Sequence, residues 1–276
     1  MLGAIAGDII GSVYEFKNTN DYNFLLFSEN SKFTDDTILT IAQADSIINN
    51  KDWISTLHEY FDKYTNYGYG GGFQTWALNK SREPYNSYGN GSAMRISPIA
   101  WYYTKTSLTK KINYDIEIIL DKAKQSAEVT HNHPEGIKGA QAIALCIFLS
   151  LYNWTKHEIK DFIETKYDYN LSKSLKQLTT TAYLKPIEKK KKIIYKTSCQ
   201  ETIEQAICAF LLSEDFEDCI RKAIMVGGDS DTIACMAGSI AEAYYHGVPK
   251  YIEEEVYKRL DEHLLKILLQ FQEIII

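Results

Sequence analysis

Apolar residues recur every three or four positions along most of the chain, which is the spacing of helices that bury one face. Six helices are predicted: two that begin near Thr37 and Asp231, and four over residues 115–129, 137–152, 201–212 and 251–270. Gly247 and Pro249 mark the end of the helix that begins at Asp231. The sequence has no series of alternating strands with hairpin turns and no βαβ rhythm, so we expect an all-α protein.

Length and composition exclude several classes of protein. The chain has 276 residues, of which 45% are apolar and 24% charged, and this excludes a disordered chain and a disulfide-stapled miniprotein. We expect one compact domain over residues 1–276. The net charge of −6 argues against a stable nucleic-acid complex. The longest nearly unbroken apolar run, Ile143 to Leu151, is too short to cross a bilayer.

Cysteine usage and the first residues bear on the compartment. The five cysteines are odd in number and form no C-x-x-C pair, so we predict buried free thiols and disfavour a zinc site built on cysteine. The first eight residues contain no basic segment and reach an acid at Asp8, which is not typical of a secretory signal. We therefore expect a cytoplasmic protein that is not associated with membranes.

Two acidic stretches suggest a metal site. Phe33–Thr37 and Gly227–Thr232 each place two carboxylates and a threonine where a helix begins. Helix capping explains one such acid in each stretch, with Thr34 a suitable N-cap residue. If both stretches met in one pocket, their four acids would repel one another unless cations compensated them. Oxygen ligands of this kind suit Mg²⁺, Mn²⁺ or Ca²⁺, and two clusters suggest two ions.

Three further segments could contact a ligand. Residues 87–95 are rich in glycine and form either a tight turn or a loop that binds an anion. Residues 67–73 are also rich in glycine and form either a bend or a loop on which a base stacks. In Thr130–Glu135, a capped loop is favoured over a zinc site, and His131 could donate a hydrogen bond to a ligand. Only four arginines are present, so the binding of phosphate would depend largely on backbone N–H groups.

Taken together and in order, these motifs closely resemble the ADP-ribosylglycohydrolase family. The resemblance is carried by Gly3–Asp8 through Glu15, Phe33–Thr37, Gly89–Arg95, Thr130–His131 and Gly228–Thr232. It extends from residue 3 to about residue 249 and therefore covers nearly the whole chain. Segment 165–200, with its lysine run Lys189–Lys192, matches no family motif.

The resemblance implies an all-α fold with an orthogonal arrangement of helices and a central cleft that holds two Mg²⁺ or Mn²⁺ ions. The implied metal ligands are Thr34, Asp35, Asp36, Asp229, Asp231 and Thr232, and the implied catalytic residues are Glu15, Asp35 and Asp36. Glu15 matches the family's glutamate near the metals and would act as a general acid/base or orient water. The implied substrate-binding residues are Gly71, Ser87, Tyr88, Gly89, Asn90 and His131.

The implied activity is hydrolysis of the glycosidic bond at C1″ of ADP-ribose, which would release ADP-ribose from a modified protein, nucleic acid or small molecule. A monomer is the family-like expectation. Two alternatives stay open: a non-catalytic ADP-ribose-binding protein on the same fold, and a metal-dependent phosphohydrolase. Specificity for the leaving group could lie in segment 165–200 or in the loop after Glu15.

Overall fold

The computed structural model describes residues 1–110, 116–181 and 196–275, and the described part forms fifteen α-helices and no strand. The first eight helices are α1 Leu2–Gly11, α2 Asp35–Ile48, α3 Trp53–Lys63, α4 Gly71–Leu78, α5 Gly91–Met94, α6 Ser97–Lys110, α7 Ile116–Glu128 and α8 Pro134–Leu151. The other seven are α9 Lys156–Tyr167, α10 Leu175–Thr181, α11 Cys199–Leu212, α12 Phe216–Val226, α13 Ser230–Tyr244, α14 Lys250–Arg259 and α15 Glu262–Ile275. The all-α expectation is confirmed.

Five of the six predicted helices are found close to their predicted bounds, as α2, α7, α8, α11 and α13. The prediction of a single helix over 251–270 is wrong, because two helices, α14 and α15, occupy this range. The chain is extended at Leu260, and the Asp261 carboxylate accepts the N–H of Leu264 at 2.8 Å, which begins a separate helix. Helix α1, which is not among the six predicted helices, contains Gly7 and continues to Gly11.

The central feature of the core is the close packing of α1 against α13. Three glycines spaced four residues apart on α1 make this approach possible. A Cβ atom at Gly7 would lie 2.1 Å from the carbonyl oxygen of Ala234, and one at Gly3 would lie 2.3 Å from that of Gly238. One at Gly11 would lie 2.4 Å from the Cα of Asp231. The N-terminal end of α13 is therefore held directly against the C-terminal end of α1.

Two further sequence predictions concern the core and the membrane. All five cysteines are buried and free, as expected. Among the described residues, no helix combines the length and the apolar character that a membrane span requires. Within segment 165–200, α10 is described, whereas Lys189–Lys192 lies outside the described residues.

Candidate active site

A cleft of about 370 Å³ opens between the N-terminal ends of α2, α4 and α13. The structure brings nearly all of the predicted site residues to its wall: Glu15, Thr34, Asp35, Asp36, Gly71, Ser87, Gly89, Asn90, His131, Asp229, Asp231 and Thr232. Tyr88 is not among the lining residues; the residue is 55% exposed, and its ring lies against His133, with 5.4 Å between the ring centroids. His133 itself caps α8 by accepting the N–H of Glu135, as the capped-loop interpretation expected.

The two acidic stretches meet in this cleft. Thr232, at the start of α13, donates its hydroxyl to Asp36 Oδ2 at 3.1 Å across the start of α2. Thr34 caps α2 by accepting the N–H of Asp36, so the local capping prediction is also confirmed. The carboxylates thus lie at two converging helix N-termini, where the helix dipoles favour negative charge.

Asp8 is a buried residue of the site that the sequence prediction left out of the ligand set. Its carboxylate accepts the N–H and hydroxyl of Thr34 at 2.9 and 2.7 Å, and those of Thr37 at 3.1 and 2.5 Å. Four donors use most of the lone pairs that a carboxylate offers. Asp8 therefore anchors the start of α2 to α1. Its signal was present in the sequence, because Asp8 ends the first family motif.

The acid side chains form two groups that share Asp231. Asp8, Asp36 and Asp231 have carboxylate oxygens within 4.8 Å of one another, and so do Glu15, Asp229 and Asp231. Asp36 Oδ1 is buried and has no hydrogen-bond partner in the described part of the chain. A buried, unpartnered carboxylate oxygen among other carboxylates is costly, and a cation would relieve this cost. The all-oxygen donor set fits hard divalent cations.

The electrostatics of the cleft favour protonated carboxyl groups when no cation is bound. Burial raises the pKa of Asp36 and Asp231 well above the usual range, and the neighbouring carboxylates raise it further. Burial, followed by Asp229 and Asp8, raises the pKa of Glu15 to about 7. Of the described residues that line the cleft, Arg95 is the single lysine or arginine.

The loop from residue 12 to residue 33 carries Glu15 and is attached to α12. Arg221 on α12 donates to the carbonyl oxygens of Tyr22 and Phe24, each at 2.9 Å, and its guanidinium lies 5.1 Å from the Phe24 ring centroid. Tyr22 donates its hydroxyl to Asp218 at 2.8 Å. The loop is therefore fixed at its middle by residues that do not line the cleft.

The glycine-rich loop at residues 87–91 holds Asp229 and contacts a segment that the sequence did not single out. Asn90 donates its side-chain amide to Asp229 Oδ2 at 2.6 Å, so this predicted substrate residue orients a carboxylate of the cluster. Its N–H donates to the carbonyl oxygen of Thr197 at 2.9 Å, next to an isolated bridge between Gly89 and Ser198. Thr197 lines the cleft, and no motif in the sequence indicates it.

Comparison with known proteins agrees with this geometry. A sequence model of the family described as ADP-ribosylglycohydrolase matches residues 1–273. ADP-ribosylhydrolase ARH3 of Homo sapiens is 27% identical, with 89% of this chain and 84% of the relative covered. ADP-ribosylarginine hydrolase Tri1 of Pseudomonas putida is 24% identical, with 97% and 75% covered.

A solved structure of an ADP-ribosylglycohydrolase-related protein complex superposes with a TM-score of 0.67, at 21% identity, over 100% of this chain and 97% of that chain. This similarity shows the fold, and the family model shows the membership. The family is metal-dependent and acts on ADP-ribosylated substrates, which agrees with the acidic cleft. This chain belongs to the ADP-ribosylglycohydrolase family.

Proposed function

We propose that this protein cleaves the glycosidic bond at C1″ of ADP-ribose with two divalent cations, Mg²⁺ or Mn²⁺, and releases ADP-ribose from a modified protein, nucleic acid or small molecule. Its family carries out hydrolytic removal of ADP-ribose. The observation that carries the proposal is the meeting of the two acidic stretches through Thr232 and Asp36, where Asp36 Oδ1 is buried and has no hydrogen-bond partner among the described residues. We further propose that residues 1–276 act as one domain and as a monomer.

The proposed cation ligands come from both acidic stretches. Thr34, Asp35 and Asp36 would bind from the start of α2, and Asp229, Asp231 and Thr232 from the start of α13. Asp231 belongs to both carboxylate groups, so it would help to hold a cation at either group. Bound cations would supply positive charge to the ribose hydroxyls and lower the pKa of a water molecule. Asp8 would stabilise the site by accepting hydrogen bonds from Thr34 and Thr37 at the start of α2.

Glu15 is the proposed proton carrier. Its carboxyl lines the cleft beside Asp229, and burial, the largest cause of its raised pKa, favours a carboxyl group that can hold a proton. Cleavage at C1″ builds positive charge on the ribose, and the departing group needs a proton. Glu15 would donate that proton or accept one from the attacking water, and such transfer accounts for typically ~10²–10⁴-fold in rate.

The backbone of the cleft suits the diphosphate. Helix α4 begins at Gly71, and no side chain caps its first turn. Gly70 and Gly71 face open space, since a Cβ atom at either position would meet no atom within 4 Å. Helix N-termini with free N–H groups bind anions well. We assign the diphosphate to this end of the cleft, whose lining also includes Ser87 and Gly89.

The test is a set of ADP-ribose conjugates linked through arginine, serine, glutamate and a DNA base, each incubated with Mg²⁺, with Mn²⁺ and with chelator. We expect chromatography to show intact ADP-ribose from at least one conjugate, and only when a cation is present. Glu15→Gln should abolish the release, whereas Asp121→Asn, which changes an exposed carboxylate on α7, should not. Release of AMP or phosphate would indicate a phosphohydrolase, and binding without release would indicate an ADP-ribose-binding protein.

A further inference from the structure

Arg95 is a fully buried arginine that has no carboxylate partner in the described part of the chain. Its Nη2 donates to Thr130 Oγ1 at 2.8 Å and weakly to the carbonyl oxygen of Ser126 at 3.4 Å. Its Nε and Nη1 have no hydrogen-bond partner among the described residues. Burying a guanidinium without a counter-ion is costly, and burial lowers the pKa of Arg95 to about 10. The unfavourable burial of Arg95 suggests that this residue has a functional role.

Thr130 connects this cation to a histidine in the cleft. Thr130 Oγ1 lies 2.7 Å from Nδ1 of His131, and both residues are buried. An arginine can only donate hydrogen bonds, so the Thr130 oxygen is the acceptor toward Arg95. The single hydroxyl hydrogen of Thr130 then has one acceptor within reach in the described structure, His131 Nδ1. This arrangement also turns the imidazole lone pair, rather than an N–H, toward the positive charge.

We propose that Arg95, acting through Thr130, holds His131 as the neutral imidazole whose Nε2 carries the hydrogen, and that this N–H donates to an oxygen of the ADP-ribosyl group in the cleft. The identity of the ligand rests on the proposed function, whereas the chain from Arg95 to His131 does not. Arg95 and Thr130 are positioning residues in this proposal, because they act on the ligand through His131.

The surroundings of Nε2 agree with this assignment. His131 lines the cleft, and its Nε2 lies beside two glycines of the 87–91 loop. A Cβ atom at Gly91 would come within 3.2 Å of Nε2, and one at Gly89 within 3.8 Å. The missing side chains keep Nε2 accessible. Burial and the charge of Arg95 together lower the pKa of His131 well below its usual value, so the ring stays neutral at physiological pH.

The test compares Thr130→Val, which keeps the shape but removes the hydroxyl, with Thr130→Ser, which keeps the hydroxyl. Long-range ¹H–¹⁵N NMR of the ligand-free protein reads the tautomer of His131, and calorimetry with Mg²⁺ present reads the affinity for ADP-ribose. We expect the Nε2–H tautomer in the wild type and in Thr130→Ser. In Thr130→Val we expect a mixture of tautomers and about tenfold weaker binding.

A second pair of variants keeps the proposal testable if Thr130→Val fails to fold. His131→Gln places an amide N–H near the position of Nε2 and should retain most of the affinity, whereas His131→Asn, whose amide reaches only the position of Nδ1, should lose about tenfold. The Nδ1–H tautomer in the wild type would overturn the proposal, as would a Thr130→Val protein with unchanged tautomer and affinity. A wild-type protein that shows the Nε2–H tautomer but binds no ADP-ribose would overturn the proposed function while supporting the hydrogen-bonded chain from Arg95 through Thr130 to His131.

Discussion

Asn18 and Gly228 are joined by two reciprocal hydrogen bonds. Asn18 Nδ2 donates to the carbonyl oxygen of Gly228 at 3.2 Å, and the N–H of Gly228 donates to Asn18 Oδ1 at 3.1 Å. The same Nδ2 group also donates to the carbonyl oxygens of Tyr14 at 2.6 Å and Glu15 at 3.2 Å. One side chain thus sets the position of Glu15 relative to Asp229, the neighbour of Gly228 in the chain.

Removing this link should slow the reaction more than it weakens binding. In Asn18→Ala the loop stays attached to α12 through Arg221, but Glu15 loses its fixed distance from Asp229. We expect kcat to fall by about tenfold or more with a smaller change in KM, because small misplacements of a reacting group are costly. Asn30→Ala, an exposed change in the same loop, is the control and should match the wild type. An unchanged kcat in Asn18→Ala would remove Asn18 from the positioning of Glu15.

Asp36→Asn should separate cation binding from folding. We expect calorimetry to show weaker binding of Mg²⁺ or Mn²⁺, and we expect turnover to fall by at least ~100-fold. Substitution of a residue that only hydrogen-bonds to a metal ligand already lowers metal affinity or activity by up to about 100-fold. The melting temperature of the chelated variant should not fall, because the amide carries no charge and so avoids the unfavourable ionisation of a carboxyl group buried among other carboxylates. Wild-type activity of this variant in metal-depleted buffer would contradict the metal mechanism.

The chelated protein should lose stability as the pH rises from 5 to 7. The pKa of Glu15 is raised from 4.5 to about 7 in the folded state, so in this window the folded state holds more protons than the unfolded state. The free energy of unfolding therefore decreases with rising pH. Urea denaturation at pH 5, 6 and 7 measures this trend.

Two comparisons attribute the trend to the cleft. Glu15→Gln removes one of the titrating groups and should flatten the decrease, and saturating Mg²⁺ should raise stability most at pH 7, where the carboxylates are ionised. A chelated wild-type protein that is more stable at pH 7 than at pH 5 would show that other groups dominate the titration.

Gly7→Ala should destabilise the fold through the contact between α1 and α13. The new Cβ atom would lie 2.1 Å from the carbonyl oxygen of Ala234, and backbone cannot move aside as a flexible side chain can. We expect a loss of about 1–3 kcal/mol in the free energy of unfolding. Gly71→Ala is the matched control, because its Cβ would face open space and its stability should stay near that of the wild type. Equal stabilities of the two variants would contradict the packing argument.

The sequence determined the features that depend on residues within about one helical turn of one another. Helical periodicity identified α2, α7, α8, α11 and α13, and the cap at Thr34 followed from a hydroxyl and the N–H two residues later. Helical periodicity did not predict the break at Leu260, because the apolar spacing continues across it while Asp261 starts a new helix. The family motifs carried the activity and most of the site.

Tertiary structure alone decided which distant residues meet. Asp36 and Thr232 are 196 positions apart, and their hydrogen bond exists because glycines let α1 lie directly on α13. The anchoring of α2 by Asp8, the link from Asn18 to Gly228, and the contact of Arg95 with Thr130 likewise join residues that are distant in the sequence. Local patterns encode a helix and its cap, whereas the partners of a buried polar group are fixed only when the helices pack and exclude water.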